Sequence, residues 1–267
     1  MPYTPPFAQN MQDKKIGQIR LGIQGESGSF KTGAALTFPN PTVYDYDNGL
    51  RAYAGQDITV IPFHDYDFMC ALNNGKYKPR RPKTQPNRRD ALLWVLETEG
   101  YKMTEDQTLI LDSWTTIQDA FGAEEDVEPA TTKKGEIDEF AYWQHKIEYS
   151  EKIMSWLAAL KCHVVVSFHE IKLRSPITGQ LMDKIGPLMQ GKFVAKLQLY
   201  FTDFFRAIAV GKTRKRADGT METIGTEFFW QVRSDDTFTA KTRLLLPEGL
   251  MRVEPHYKIF QQYGKPL

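Results

Sequence analysis

The sequence has little cysteine, no long hydrophobic run and almost no net charge. Its two cysteines, Cys70 and Cys162, are far apart and form neither a metal-binding spacing nor a disulfide framework, which indicates a reducing, cytoplasmic setting. No stretch approaches the roughly 18 to 20 apolar residues of a membrane span, and residues 1–15 contain no signal-peptide core, so a membrane or exported protein is not expected. Lys+Arg 34 nearly cancels Asp+Glu 33 in 267 residues, so any nucleic-acid contact must come from local clusters of charge.

The pattern of short apolar runs predicts one α/β domain. Residues 1–15 are proline-rich and polar and are predicted to form a flexible arm, with a single domain over 16–267 whose β-rich extension starts at about residue 205. Strands separated by helices favour a mostly parallel sheet with helices on both faces and antiparallel strands near the C-terminus. The predicted strands are IGQIRLGIQG, PTVYDYD, DITVIPFH, TLILDSW and CHVVVSFHE.

The segments between these strands give helices, loops and one hairpin. The periodicity predicts helices in GAALTF, ending before Pro39, in DALLWVLETEG and in EFAYWQHKIEYSEKIMSWLAALK. Lys76–Arg89 carries seven Lys or Arg and three prolines, so it is predicted to be an exposed loop. GAEEDVEPATTKKGEIDE is predicted to be a second soft insertion, and Ala217-Asp218-Gly219 predicts a hairpin turn.

A phosphate-binding loop follows the first strand. GESGSFKT matches Gly, four residues, Gly, Lys and Ser or Thr except that Phe30 replaces the second glycine, which restricts the backbone but removes no N–H donor. Lys31 is the cation for the phosphates of ATP and Thr32 the hydroxyl for Mg²⁺. The predicted nucleotide-binding residues are Gly25, Glu26, Ser27, Gly28, Ser29, Phe30, Lys31, Thr32 and Gly33. The alternative is a glycine-rich turn with a chance Lys-Thr pair.

Asp112 ends the apolar strand TLILDSW, where a carboxylate can hold Mg²⁺ through water. An aspartate at a strand end can equally be a helix cap. The sequence alone leaves both roles open for Asp112.

In this order, the motifs resemble the RecA-like recombination ATPases, and among them the small bacteriophage AAA-type ATPases associated with single-strand annealing. The resemblance spans roughly Gly17 to Pro247 and implies a RecA-like P-loop core, ATP and Mg²⁺ as cofactors, ATP hydrolysis, and a homo-oligomer that is a ring or a filament. Phage recombinases with an aromatic residue before the lysine resemble this chain at Phe30. The segment from Ile171 to Leu197, with its hairpin-like excursion at Thr178-Gly179, is the most family-specific text.

The resemblance also assigns catalytic residues. It implies that Asp47, with Asp45 two residues earlier, polarises the attacking water, and that His169 senses the γ-phosphate where RecA proteins have glutamine. It implies that Lys241 and Arg243, predicted to lie on one face of a late strand, reach the nucleotide of a neighbouring subunit. The alternatives are that Asp45 and Asp47 cap a turn, that His169 is structural, and that the two cations lie on an exposed polar strand face.

Two loops of this family line the polymer axis and bind DNA, and here they correspond to about Gly122–Glu139 and Ile171–Gly191. The resemblance implies DNA contacts from Lys133, Lys134, Lys172, Arg174 and Lys184. Lys76–Arg89 and Lys212–Arg216 are competing basic clusters, and each cluster could instead be a solvated face.

The predicted function is ATP-dependent action on single-stranded DNA in phage recombination or repair, in the host cytoplasm, with a phage single-strand-binding protein as a further partner. One alternative is a nucleotide-dependent scaffold that scarcely hydrolyses ATP, because Phe30, Asp47 and His169 depart from the commonest residues. Another is an ATPase that acts on protein partners, such as a helicase loader or packaging accessory.

Overall fold

The computed structural model describes most of the chain. The described residues are 17–65, 68, 88–127, 131, 132, 135, 136, 138–174, 178–189, 193–216 and 220–264. Several sequence predictions lie outside them: the arm at 1–15, Cys70, most of Lys76–Arg89, Lys133, Lys134, Gly191-Lys192 and the turn at 217–219.

Within the described residues, one mixed sheet runs in the order β3-β2-β4-β5-β1-β7-β8-β9, and β6 pairs with β5. The strands are β1 Arg20–Gly25, β2 Pro41–Asp45, β3 Thr59–Pro62, β4 Thr108–Asp112, β5 His163–Arg174, β6 Leu181–Pro187, β7 Asp203–Lys215, β8 Met221–Gln231 and β9 Arg252–Val253. The pairs among β1 to β5 and between β1 and β7 are parallel, whereas β6, β8 and β9 pair antiparallel. The first five strands lie where the sequence predicts them, because each contains a short apolar run; β1 and β4 are buried almost throughout, whereas the edge strand β3 is partly exposed.

Helices cover both faces of the sheet. They are α1 Lys31–Ala35, α2 Arg88–Thr98, α3 Trp114–Val127, α4 Glu139–Ala159, α5 Val194–Leu197 and α6 Lys258–Tyr263. One apolar core joins α1 and α6 to the sheet, and a larger core joins α2, α3 and α4 to the opposite face. The predicted α/β class, mostly parallel with helices on both faces and antiparallel C-terminal strands, is confirmed.

Alternation along β1 sets which face each of its residues serves. Leu21 and Ile23 lie in the core under α1, so Gly22 and Gln24 point to the opposite face. A side chain on Gly22 would meet the ring of Phe204 at 2.3 Å, so glycine is required for this close contact. The strand therefore carries the P-loop to the carboxyl edge of the sheet with one face toward α1.

Three sequence predictions need correction. Helix α1 ends at Ala35, four residues before Pro39. Helix α3 continues through Gly122 to Val127, so the soft insertion predicted from Gly122 begins later. The segment 234–243 is not a regular strand: a single isolated bridge pairs Lys241 with Phe204.

Among the described residues, no helix combines the length and the apolar character that crossing a membrane requires.

Candidate nucleotide-binding site

The predicted P-loop joins β1 to α1 and contains two residues with positive φ. Gly28 has φ 77, and Phe30 has φ 68 and ψ 25, the left-handed conformation that glycine adopts without strain. For another L-residue this conformation costs about 1 to 2 kcal/mol. The motif has glycine at position 30 for this conformational reason, and here the loop keeps the conformation with phenylalanine.

Contacts of the Phe30 ring offset part of that cost. The ring stacks on Phe228 of β8 with centroids 5.0 Å apart and planes 23° apart. It also covers Gly33, where a Cβ atom would lie 2.2 Å from the ring. Aromatic pairs contribute about 0.5 to 1.5 kcal/mol beyond their buried area, which is of the same order as the backbone strain. Phe228 was not singled out in the sequence, since its contact with the loop depends on the β7–β8 pairing.

Lys31 lies buried inside its own loop. Its ammonium donates hydrogen bonds to the carbonyl oxygens of Gly25, at 2.9 Å, and Glu26, at 2.7 Å. Burial lowers the pKa of Lys31, and nearby carboxylates, led by Asp112, offset part of that effect. A polyanionic phosphate chain would favour the charged lysine further, so this position suits a triphosphate ligand.

Thr32 and Asp112 meet at the carboxyl edge of the sheet. The Thr32 hydroxyl donates to Asp112 Oδ2 at 2.7 Å, and the hydroxyl of Ser167 donates to Oδ1. Burial raises the pKa of Asp112, with Asp47 and Asp45 adding repulsion, although both hydroxyls act in the opposite direction. A buried carboxylate beside a hydroxyl is a hard oxygen set that fits Mg²⁺, whose charge would favour the ionised form. Asp112 thus has the hydroxyls of Thr32 and Ser167 as its partners, and its role as a magnesium residue stays a prediction that this oxygen set fits.

Asp45 and Asp47 have different roles. Asp45 is buried, and its Oδ1 accepts from the main-chain N–H groups of Asp47, at 3.1 Å, and Gly49, at 3.4 Å. Its Oδ2 lies 3.5 Å from His64 Nδ1, a contact that the sequence analysis missed. Asp45 thus caps the turn after β2, which leaves Asp47 as the carboxylate that faces the site.

Asp47 is held by polar partners from two other elements. The Thr116 hydroxyl donates to Oδ1, and His169 Nε2 lies 3.5 Å from Oδ2. Burial by itself would raise the pKa of Asp47, but the hydrogen bonds from His169, Thr116 and Ser113 outweigh burial and lower it. The carboxylate stays ionised, as a group that orients or accepts a proton from water must be.

His169 sits where β5 leaves the buried sheet. It pairs in register with Gly25, its main-chain N–H donates to Thr115 Oγ1 at 3.2 Å, and its carbonyl accepts from Leu188 N at 2.6 Å. The side chain therefore links Asp47 to the base of the β5–β6 hairpin. Ser167, two residues earlier on the same face, is a further site residue, and its signal was a polar residue inside an apolar strand.

A partly buried ion pair lies on the other face of the same strand. Arg206 of β7 donates two hydrogen bonds to the Glu170 carboxylate, both 2.9 Å long. This bidentate geometry raises the pKa of Arg206 through the Glu170 hydrogen bonds, against burial. Neither residue was a sequence candidate, because the two are 36 positions apart and only the sheet order brings them together.

The structure does not bring Lys241 and Arg243 to the P-loop of the same chain. Lys241 pairs with Phe204, and its ammonium donates to the Gln198 carbonyl at 2.7 Å. Arg243 is exposed, and its main-chain N–H donates to Asp203, which pairs in register with Leu21, four residues before Gly25. The predicted placement of both cations on one strand face is wrong. This segment forms one isolated bridge and hydrogen bonds to side chains, and it does not form the regular main-chain hydrogen bonds of a strand.

The described basic residues divide between two hairpins. Lys172, Arg174 and Lys184 are exposed on β5 and β6, as the sequence predicts for the second loop. Lys212 of β7 pairs with Glu227 at 2.9 Å, and Arg216, which follows β7, pairs with Glu222 at 3.1 Å. The second hairpin is thus partly neutralised by its own carboxylates.

Two solved structures are similar to this chain at low levels. One is the RadB recombinase, with 12% identity over 80% of this chain and 87% of that chain and a TM-score of 0.36. The other is the flagellar accessory protein FlaH from Methanocaldococcus jannaschii, with 12% identity over 87% and 86% and a TM-score of 0.35. With TM-scores and identities this low, neither structure supports a conclusion about the function of this chain. No curated protein matches its sequence significantly.

The sequence profile of the AAA_24 family, an AAA domain, matches residues 18–244. This match covers the P-loop, Asp47, Asp112, His169 and both hairpins. The chain therefore belongs to the AAA_24 family of AAA domains, as a nucleotide-binding domain of the P-loop ATPase class.

Proposed function

We propose that this protein hydrolyses ATP with Mg²⁺ and acts on single-stranded DNA in recombination, replication or repair, as an assembly of identical subunits. The observation that carries the ATPase part is the convergence of five polar side chains from four elements beside the P-loop. They are Thr32, Asp47, Asp112, Ser167 and His169.

In this proposal the P-loop binds the phosphates through main-chain N–H groups and Lys31. The Lys31 ammonium exchanges its contacts with the Gly25 and Glu26 carbonyls for phosphate oxygens, which are stronger, charged acceptors. Thr32 and Asp112 would hold Mg²⁺, which supplies charge neutralisation on the phosphates when bound. Phe30 keeps the backbone conformation of the loop and donates its N–H as glycine would.

Asp47 acts on water in the same proposal. Its carboxylate is ionised and anchored by Thr116 and His169, so it has a fixed orientation toward the site. An aspartate is one methylene shorter than the glutamate of RecA, so its carboxylate lies nearer to its own backbone. His169, in contact with Asp47 and at the root of the β5–β6 hairpin, senses whether the γ-phosphate is present.

The DNA-binding part of the proposal rests on the β5–β6 hairpin. Lys172, Arg174 and Lys184 are exposed there, and Lys172 and Lys184 form no ion pair with any described residue. Cations without carboxylate partners are free to replace the counterions of a phosphate backbone. The resemblance to phage annealing ATPases supports a phage recombination role with a single-strand-binding protein as partner.

A neighbouring subunit would complete the site. Arg243 is exposed and distant from its own P-loop, so it suits a cation donated in trans to the phosphates of an adjacent copy, with Lys241 beside it. Ring and filament both satisfy this requirement.

Turnover measurements with and without single-stranded DNA test the proposal. Lys31→Ala should abolish nucleotide binding, whereas Asp47→Ala should leave binding intact and reduce turnover by about 100-fold or more. Arg243→Ala should reduce turnover only in the assembled protein, with exposed Arg252→Ala as the matched control. Equal turnover of wild type and Asp47→Ala would disprove the role of Asp47.

The main alternative is a nucleotide-dependent scaffold with little hydrolysis. The observation in its favour is that Lys31 and Asp47 already have protein partners, so both must exchange contacts during a catalytic cycle. Tight binding of ATP without turnover in the presence of DNA would favour the scaffold. Turnover stimulated by a protein partner, without DNA affinity at low salt, would favour a helicase loader or packaging accessory instead.

A further inference from the structure

Gln24 is a fully buried amide without a hydrogen-bond partner. It is 0% exposed, and both its Oε1 and Nε2 atoms lack a partner among the described residues. Its register neighbours on that face are Phe168, which offers no polar atom, and Arg206, whose guanidinium is bound to Glu170. An unsatisfied buried polar group costs about 1 to 3 kcal/mol, so a retained one calls for a ligand or another explanation.

Gln24 lines a cavity of about 470 Å³ on the sheet face opposite α1. The walls include Ile185 and Lys184 of β6, Leu197 of α5, and the aromatic residues Phe204 and Phe238. The volume lies within the range of small-ligand pockets, and apolar side chains share the lining about equally with polar ones, among them the amides of Gln24 and Gln198. This cavity is separate from the P-loop cluster, which lies on the α1 face.

The chemistry of the cavity favours a nucleobase. A carboxamide presents one acceptor and one donor side by side, which matches the adjacent donor and acceptor on a base edge, as in the pairing of glutamine with adenine. Apolar and aromatic walls suit the faces of a planar ring.

The acidic part of the lining is unsuited to the phosphates of a ligand. Asp235 and Asp236 lie there and are exposed, and hydrogen bonds to Asp235 from Thr237, Phe238 and Gln231 outweigh burial and lower its pKa to about 2, so it remains anionic. Lys184 lies on the hairpin side of the same cavity. A strand whose phosphates follow the basic hairpin would thus turn a base, and not a phosphate, toward Gln24.

We propose that this cavity binds one nucleobase of a single strand held along the β5–β6 hairpin, with Gln24 bonding to the base edge. The inference rests on the proposed action on single-stranded DNA. Because Gln24 is closed to solvent, the base enters as the hairpin moves away from residues 235–239, to which it is joined by a hydrogen bond from Ile185 N to Thr237 O of 2.7 Å.

Binding of matched base-bearing and abasic strands tests the inference. Fluorescence anisotropy would compare homopolymers of about 16 nucleotides with an abasic strand of equal phosphate number. Wild type should bind its preferred homopolymer about tenfold more tightly than the least preferred one and than the abasic strand. Gln24→Leu should lose this discrimination, keep its affinity for the abasic strand, and melt at the same or a higher temperature because the orphan amide is removed.

A second variant controls for the possibility that Gln24→Leu acts by disturbing the adjacent P-loop. Val194→Phe fills the cavity without changing Gln24 and should also lose the discrimination, whereas Leu199→Phe, on a neighbouring turn and 77% exposed, should retain it. Unchanged discrimination in both Gln24→Leu and Val194→Phe overturns the inference and leaves DNA binding standing. If wild type binds no strand at all, the proposed function fails together with the inference.

Discussion

The P-loop strand β1 has two neighbours, and they differ in what they bring to the site. On the β5 side, Ser167 and His169 contact the carboxylates Asp112 and Asp47. On the β7 side, Arg206 is bound to Glu170, and the adjoining β8 supplies Phe228 as a packing surface for Phe30. The β5 side therefore supplies polar side chains to the cluster beside the P-loop, whereas the β7 side supplies packing and an ion pair outside that cluster.

The hairpins that extend from the two sides repeat this difference. The β5–β6 cations Lys172 and Lys184 form no ion pair with the described residues, whereas Lys212 of β7 and Arg216, just after β7, pair with Glu227 and Glu222 of β8. Both segments look basic in the sequence. The number of cations therefore does not identify a nucleic-acid surface, because carboxylates on the paired strand can neutralise them.

The largest expected effect comes from Asp112, the β4 carboxylate to which Ser167 of β5 donates a hydrogen bond. Asp112→Asn removes the charge between Thr32 and Ser167 and should lower Mg²⁺-dependent turnover by about 100-fold or more. Because burial raises the pKa of Asp112, ionisation at neutral pH costs folding stability, so the variant should melt at the same or a higher temperature without Mg²⁺. Turnover assays and thermal melts measure both effects.

A matched aspartate on the β7 side serves as the control. Asp203 is also buried and accepts from the Thr242 hydroxyl, at 2.8 Å, and from Arg243 N. Because Asp203 also holds the main chain of Arg243, the comparison is made on the unassembled protein: Asp203→Asn should lower stability by about 1 kcal/mol and leave the unassembled turnover within about threefold. Similar turnover of the two unassembled variants would refute the special role of Asp112.

The next effect compares the hairpins directly. Lys172→Ala, Arg174→Ala and Lys184→Ala together should weaken single-strand binding by at least about tenfold and reduce the salt slope by about two. The matched triple variant with Lys212→Ala, Arg214→Ala and Arg216→Ala should change affinity by less than about threefold, since its cations are paired. A greater loss in the second variant would reverse the assignment of the DNA surface.

A smaller effect is expected on the pH dependence of turnover. His169→Leu removes one of the hydrogen bonds that outweigh burial at Asp47, so the pKa of Asp47 should rise and the acid limb of the turnover profile should move to higher pH. His64→Leu is the control, because His64 contacts Asp45 and not Asp47. An identical acid limb in wild type and His169→Leu would contradict the proposed contact.

The lowered pKa of Asp47 also predicts how folding stability changes with pH. Ionised Asp47 stabilises the folded state above its unfolded-state pKa, and this contribution is lost as pH falls through the lower folded-state pKa. In His169→Leu the loss should begin at higher pH, which acid unfolding curves can measure.

The smallest effect tests the packing on the β7 side. A double-mutant cycle with Phe30→Ala and Phe228→Ala should give a coupling of about 0.5 to 1.5 kcal/mol in unfolding free energy. Gly33→Ala should destabilise the wild type, because its methyl group would meet the Phe30 ring, and should cost less in a Phe30→Ala background. If the changes in unfolding free energy are additive for both Phe30 with Phe228 and Phe30 with Gly33, the Phe30 ring does not stabilise the loop through these contacts.

Sequence patterns predicted the strands near the site because these strands are local apolar runs, and strand ends in a parallel sheet meet at one edge. Thr32 and Asp112 could thus be paired although they are 80 positions apart. The left-handed conformation of Phe30 was also foreseeable from the motif. What the sequence left open was the division between Asp45 and Asp47, which depends on whether the turn uses the first carboxylate for its own N–H groups.

Other contacts could not be predicted from the sequence, because they depend on which strands pair in the sheet. Glu170 with Arg206, and Phe30 with Phe228, become neighbours only through the order of β5, β1, β7 and β8. The late segment failed as a strand prediction because Asp235 accepts from the main-chain N–H groups of Thr237 and Phe238, which diverts them from a ladder. Gln24 gave no signal beyond one polar residue in an apolar strand.

Alternate residues in the middle of β5 face opposite sides of the sheet. Ser167 and His169 face the polar cluster beside the P-loop, and Phe168 and Glu170 contact Phe204 and Arg206 on the other side. Inserting or deleting one residue before this stretch would exchange the two sets, whereas a change of two residues would preserve them. We therefore expect that a homologue in which this strand changes length by an odd number of residues has a compensating bulge nearby.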